Sequence, residues 1–434
     1  MTRILLVNVL ELCVGLGLLP WLGLTPSPLA YAVGLAAVGI VSAHLALVGV
    51  AVGLPALAGL AAVSLVTGFL RRRPGRPSAG GALAALAALA VPAVILAHAA
   101  RAFAVKPLVE FDGWAIWATR AQGLYDFGGA ATALFANAGY PKLEYPLLLP
   151  SLQAIDARAL GHFDGTLLHL QLLGLAVAFA AGYWTLLRPH APPLVVAATL
   201  AAILAAPAVP GQLSTNYADI PLALFLALGV AALGAWLAAD EPGLLAVAAI
   251  LLAAGALTKN EGELFALAAY VSLAVVARGR RRAVAGAAAA TLALVLPWRI
   301  WLGVHGITTS DYSLGDVASP SYLSGHAGRV GAAAGELLRQ AFDTGRFGLL
   351  APLALVALAA AVMLGRRRQA AFAALWTALS FGGLVVVYWI SRNPVTDHLY
   401  NSSYRTVASI VVGAAALAPL LARRNGVGPA VPRR

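Results

Sequence analysis

The sequence predicts an all-α, polytopic membrane protein with about thirteen transmembrane helices and amphipathic interfacial helices in one large outer loop. Three observations lead there. Of the 434 residues, 61% are apolar and only 11% charged, against roughly 25% charged in a soluble domain. Apolar stretches of spanning length recur along the chain, and arginines sit in short runs between them. Such hydrophobicity excludes intrinsic disorder. A single cysteine, Cys13, excludes a disulfide scaffold within the chain. The 29 basic and 17 acidic residues leave a net charge of +12. Its division into short clusters lacks the contiguous basic face that nucleic acid needs, so no nucleic-acid partner is expected.

The apolar stretches cover residues 4–24, 29–50, 51–70, 82–100, 166–187, 193–209, 218–238, 244–257, 264–277, 284–302, 347–364, 371–390 and 407–422. A span needs about 20 residues, so the two flanking 258–263 are short for a full crossing. The 44 glycines are compatible with helices that pack closely in lipid. Arginine runs at 71–76, 278–282 and 366–368 and at the C-terminus mark cytoplasmic loops by the positive-inside rule. Residues 101–165, 210–217, 258–263, 303–346 and 391–405 then face outward. Among acidic residues, only Asp240 and Glu241 fall in a loop assigned to the cytoplasm, while Glu11 lies inside the first span. This parity puts Met1 outside unless one of the first three segments is re-entrant. No cleavable signal is expected, because the first apolar stretch is too long and has no basic leader beyond Arg3. The organisation reads as accessory helices over 1–80, a membrane module over 81–422 including the outer loop 101–165, and a basic cytoplasmic tail over 423–434. The expected location is the cytoplasmic membrane.

No nucleotide-binding P-loop, zinc-protease or paired-cysteine motif occurs. Chemistry must therefore come from polar groups in the outward-facing segments. The first is V-E-F-D-G-W-A-I-W-A-T-R-A-Q-G-L-Y, residues 109–125. Trp114, Ile116, Trp117 and Tyr125 suggest an amphipathic interfacial helix, with Trp114 and Trp117 as belt aromatics. Asp112 fits either a helix N-cap or a catalytic base. The second is Y-P-K-L-E-Y-P-L-L-L-P, residues 140–150. Prolines there hold Glu144 and Tyr145 stiffly, and Lys142 is near enough to pair with Glu144. The third is S-T-N-Y-A-D-I-P, where Asp219 opens a span, as a cap or as a functional carboxylate. In the fourth, T-K-N-E-G, Lys259, Asn260 and Glu261 interrupt two apolar segments, which is costly unless they line a cavity. The last, D-H-L-Y-N-S-S-Y-R, groups His398, Asn401, Ser402, Ser403 and Arg405, a donor set suited to phosphate.

Five such motifs in this order, over residues 109–405, resemble the GT-C class of integral-membrane glycosyltransferases. The similarity is to the bacterial branch related to the aminoarabinose transferase and the protein O-mannosyltransferases. The resemblance implies a polyprenyl-phosphate sugar donor, a lipid or glycan acceptor of the cell envelope, and inversion at the anomeric carbon. It implies Asp112 as general base and Asp219 and Glu144 as orienting groups for the acceptor or for a divalent metal ion. Lys259, His398 and Arg405 would hold the leaving phosphate, with Glu261, Ser402, Arg120 and Tyr145 also in the substrate-binding set. Two departures bear on the sugar and acceptor. A basic helix start is here Thr119-Arg120-Ala121-Gln122, and a His-Pro pair is replaced by Lys142-Leu143.

Two other readings share some of these features. A secondary transporter would also have charged groups in broken helices, but no inverted repeat is visible and the polar clusters gather on one side. A lipid-linked glycan ligase or polymerase would have the same architecture with a diphosphate donor.

Overall fold

The computed structural model describes residues 2–71, 82–129, 134, 142–309 and 311–422. The arginines at 72–76, the Tyr140–Pro141 pair and the basic tail 423–434 lie outside the described residues. Those described form helices and connecting turns, with no strand among them. The principal helices are α1 (Thr2–Trp21), α2 (Leu29–Leu47), α3 (Leu54–Arg71), α4 (Ala82–Phe103), α5 (Thr119–Asp126), α6 (Leu148–Leu160), α7 (Gly165–Leu187) and α8 (Pro193–Ala205). They continue with α9 (Asp219–Ala239), α10 (Pro242–Ala256), α11 (Glu261–Val276), α12 (Arg281–Val304), α13 (Gly328–Ala341), α14 (Leu350–Met363), α15 (Arg367–Trp389), α16 (Val395–Thr406) and α17 (Ala408–Ala416).

Among the described residues, 8 helical stretches are long and apolar enough to cross a membrane. Shorter apolar helices are Ala88–Phe103, Pro193–Ala205, Pro242–Ala256 and Leu350–Met363. The chain is thus an α-helical membrane protein. Local chemistry sets several boundaries. Asp164 caps α7 by accepting from the Thr166 amide at 2.8 Å, and Pro193 and Pro242 sit at first-turn positions where a missing N–H costs nothing. Gly161 ends α6 in the left-handed region, at φ +87°, which glycine enters without a side-chain clash.

Helix α9 is the centre. Every residue from Asp219 through Leu237 is buried, as expected of a helix apolar all round. Around it pack α7, α10 and α17, while α11 lies against α15 and α10 against α12. The last polar stretch, for which the sequence named donors but no element, contains a helix. Residues 395–406 are helical, and Leu399, Ser403 and Thr406, at i, i+4 and i+7, form its buried face. Its polar groups are therefore displayed by a helix that continues toward the final span.

The first three helices are packed onto the remainder, with α2 against α6, α7 and α10. Backbones approach closely where α1 crosses α2: a Cβ on Gly34 would lie 1.9 Å from the Glu11 carbonyl oxygen. Close approach through small residues is a main source of helix association in lipid. Gly34→Ala is expected to lower stability by about 1–3 kcal/mol through forced separation of α1 and α2. Thermal unfolding in detergent measures it, and a wild-type midpoint would show that this crossing contributes nothing.

Candidate active site

Where the N-termini of α9 and α11 meet the C-terminal end of α15 and one side of α16 from His398 to Thr406, the structure forms a cavity of about 130 Å³. Of the residues singled out in the sequence, Asp112, Tyr145, Asp219, Lys259, Glu261, His398, Ser402 and Arg405 line it. Trp117 and Asn260, also named in the sequence, line it too, and Asp311, Tyr312 and Tyr388 join them.

Asp112 precedes one turn of π-helix, Gly113–Ala118, and makes no capping hydrogen bond. Its carboxylate instead pairs with the Arg405 guanidinium, 293 residues away in sequence. Between cap and functional carboxylate, the cap is thus not what the side chain does. The turn is fixed from below. A Cβ on Gly113 would lie 2.0 Å from the Thr215 carbonyl oxygen, so only glycine permits this approach. The Asn216 side-chain amide donates to the Gly113 carbonyl at 3.3 Å. Asn216 itself is buried and has φ +58°, a conformation asparagine tolerates better than most residues. These contacts tie the Asp112 turn to the loop that starts α9. Isolated π-turns of this kind recur at functional sites.

The π-turn also revises the amphipathic-helix expectation. Trp114 is 48% exposed, whereas Trp117 is 2% exposed and stacks on Tyr145 with ring centroids 5.5 Å apart. Only Trp114 keeps a belt-like position. Trp117 is a wall of the cavity.

Asp219 accepts from the Lys259 ammonium at 2.6 Å, and Glu261 lies 3.1 Å from the same nitrogen. Burial alone would lower Lys259, but Asp219 and Glu261 reverse that effect and hold it above the ordinary lysine value. The turn carrying Lys259 is braced by Arg299, which donates to Glu263 at 2.6 Å and to the Asn260 side-chain oxygen at 2.9 Å. Glycine is required there too, since a Cβ on Gly262 would lie 2.5 Å from the Gly255 carbonyl oxygen. On α16, His398 Nδ1 shares a hydrogen bond of 2.8 Å with Ser391, and the Tyr388 hydroxyl meets Ser402 and Thr406 at 2.9 and 3.0 Å. The Arg405 guanidinium also sits over the Tyr217 ring, 4.7 Å from its centroid.

Two expected residues stand behind the cavity. Arg120 is fully buried and donates to the Tyr145 carbonyl at 2.6 Å and to the Lys142 carbonyl. It clamps the loop that presents Tyr145. Glu144 is buried, and its Oε1 has no hydrogen-bond partner. The expected Lys142–Glu144 pair does not form: the Lys142 ammonium reaches both oxygens of Asp311 at 2.7 Å. Asp311 was not singled out from sequence, where it is one carboxylate in a long polar loop whose partner is 169 residues away. No group of three or more His, Cys, Asp or Glu side chains among the described residues is arranged to hold a metal ion. With Asp112 and Asp219 each facing a cation, the residues do not fit a metal-orienting role, and no chemical step is routed through one.

No family model, no curated protein and no solved structure matches the chain.

The Lys142–Asp311 pair is titratable. Burial would raise the Asp311 carboxyl, but the hydrogen bond and charge of Lys142, with a 3.1 Å contact from Asn393, hold it below the ordinary aspartate value. A carboxyl depressed on folding stabilises fully above the unfolded pKa of about 4 and loses that contribution as pH falls through the folded value. Asp311→Asn should therefore unfold at lower temperature than wild type near neutral pH. The gap should close as pH falls below the ordinary aspartate value of about 4; a gap that stays constant with pH would remove the ion pair as its cause.

Proposed function

We propose that the chain is a membrane glycosyltransferase of the GT-C kind. It transfers a sugar from a polyprenyl-phosphate donor to a lipid or glycan acceptor of the cell envelope. The finer topology belongs to the same proposal: about thirteen spans in the cytoplasmic membrane, with the cavity facing outward. The observation that carries the reading is the convergence of Asp112, Asp219, Lys259, Glu261, His398, Ser402 and Arg405 on one cavity. That cavity lies at one end of helices whose other ends carry arginines. An apolar groove of about 330 Å³, lined by Phe342, Leu358, Phe381, Val407, Ile410 and Val411, runs beside it. Val407 directly follows the cavity residue Thr406, and Phe381 lies one turn before the cavity residue Leu384. A ligand with an anionic head and a long apolar tail suits that continuity.

The chemistry is a single displacement. The acceptor oxygen forms a bond to the anomeric carbon while the bond from that carbon to the phosphate oxygen breaks. The bonding pair leaves on the phosphate, and the acceptor hydroxyl proton passes to Asp112. Lys259 and Arg405 supply positive charge where the leaving phosphate gains negative charge. In the ligand-free arrangement Arg405 is occupied by Asp112. Donor phosphate would draw Arg405 away and leave the Asp112 carboxylate free to face the acceptor hydroxyl.

Turnover of purified protein with a panel of polyprenyl-phosphate sugars tests the activity. Asp112→Asn should reduce turnover on the order of 10²–10⁴-fold while leaving folding and donor binding close to wild type, because an amide cannot take the acceptor proton. Retention of more than about a third of wild-type turnover, far above that range, would end the base assignment. The topology has its own measurement. In a Cys13→Ser background, a cysteine at Val109, which is 65% exposed, should react with an impermeant thiol reagent in intact cells, and one at Arg281 only after lysis. The reverse pattern would place the cavity on the cytoplasmic side and exclude an outward-facing site.

A further inference from the structure

A second cavity, of about 570 Å³, lies at the opposite end of the same helices. Four guanidinium groups line it: Arg278 and Arg280 from the turn after α11, and Arg367 and Arg368 from the start of α15. Its floor is apolar, formed by the helix-end residues Leu237, Val275 and Val276. Arg280 pairs with Asp240 and lies over the Trp236 ring, 4.8 Å from its centroid. Arg278, Arg367 and Arg368 are exposed and have no carboxylate partner among the described residues. Four positive charges thus face one carboxylate around this recess. Setting topology needs positive residues near a span but does not need them to converge on a cavity.

The level of this cavity in the membrane follows from helix length. Asp219 lines the candidate active site and Leu237 lines the arginine cavity. The eighteen helical steps between them span about 27 Å, close to the thickness of a hydrocarbon core, about 30 Å. The arginines thus sit at headgroup level in the leaflet opposite the candidate active site. An apolar track leads away from them. On α11, Leu267, Val271 and Val275, spaced four residues apart, are 63%, 43% and 44% exposed. They form one stripe along the helix face, and Val275 belongs to both the stripe and the cavity wall.

We propose that this cavity holds an anionic glycerophospholipid, with its phosphodiester among Arg278, Arg280, Arg367 and Arg368 and one acyl chain along Leu267, Val271 and Val275. Guanidinium groups match phosphate oxygens in charge and fork geometry, and basic recesses between membrane helices on this kind of face suit acidic headgroups. The position of the arginines at headgroup level, with the apolar stripe continuing from them along α11, favours a lipid phosphodiester over a free phosphate. Asp240 stays paired with Arg280, so three arginines remain to meet the ligand's charge. The site lies one membrane thickness from the first cavity, and the proposal stands whether or not the chain transfers sugars.

The test uses the full chain in a neutral detergent. Thermal unfolding is followed while dioleoylphosphatidylglycerol, dioleoylphosphatidylcholine, glycerol phosphate or inorganic phosphate is added. Phosphatidylglycerol should raise the midpoint saturably, and the other three should not. The Arg278→Gln, Arg367→Gln, Arg368→Gln triple variant should need about fivefold more phosphatidylglycerol for each arginine removed. Equal stabilisation by phosphatidylcholine would overturn the headgroup assignment. Equal stabilisation by glycerol phosphate or inorganic phosphate would make it a soluble-anion site and overturn the lipid. An unchanged phosphatidylglycerol response in a folded triple variant would move the lipid elsewhere. If the variant does not fold, Val271→Glu in the acyl track should weaken the phosphatidylglycerol response, and a wild-type response there would overturn the proposal.

Discussion

The ion pair between Asp219 and Lys259 fixes the geometry on which the site depends. Asp219 starts a helix that is buried on every side, and a lone carboxylate in that place would carry the full cost of desolvation. Lys259 answers it at 2.6 Å from the turn that joins α10 to α11. Each half justifies the other. The buried carboxylate is tolerable because a cation is delivered by the turn, and the buried ammonium is tolerable because Asp219 and Glu261 face it. The distance between α9 and the α10–α11 turn is thereby set at one hydrogen bond.

The same pairing runs through the whole cavity. Asp112 faces Arg405, Asp311 faces Lys142, and Glu261 shares Lys259. At rest the site is neutralised internally, so an anionic ligand cannot simply fall into a positive hole. It has to exchange with a carboxylate already in place. Under the glycosyl-transfer reading this couples two events that must coincide. The cation reaches the phosphate as the carboxylate beside it is released to accept a proton. Arg405 can make that exchange over a short path, because it is held on its other side by the Tyr217 ring, which needs no charge of its own.

Much of this was legible from sequence, and the reason is the solvent. In a bilayer an ionisable residue in or beside an apolar segment is expensive, so the few that occur point to a cavity. That logic found Asp219, Lys259 and Arg405, and it gave the helical class without difficulty. It could not find Asp311, which lies in a long polar loop where a carboxylate costs nothing until its partner is known. For the same reason the sequence pairs Lys142 with its neighbour Glu144, and the resemblance places Arg120 among the substrate-binding groups, whereas the Arg120 guanidinium donates to the Lys142 and Tyr145 carbonyls. The division of the 109–125 stretch into a π-turn and α5 was beyond periodicity as well. Trp114 and Trp117 look equivalent on an ideal helix, whereas in the π-turn one is exposed and the other lines the cavity.

Helix length then organises the two polar ends. α9 and α11 begin at the carboxylate-rich cavity and end at the arginines, while α15 runs the other way between the same two places. Three helices of spanning or near-spanning length therefore connect the two cavities. α11 packs against α15, so one helix pair carries Glu261 and Tyr388 at the first cavity and Val275 and Arg368 at the second. Arg278, just past the end of α11, and Arg367 and Arg368, at the start of α15, line one recess there, so the relative position of these two helix ends sets its width.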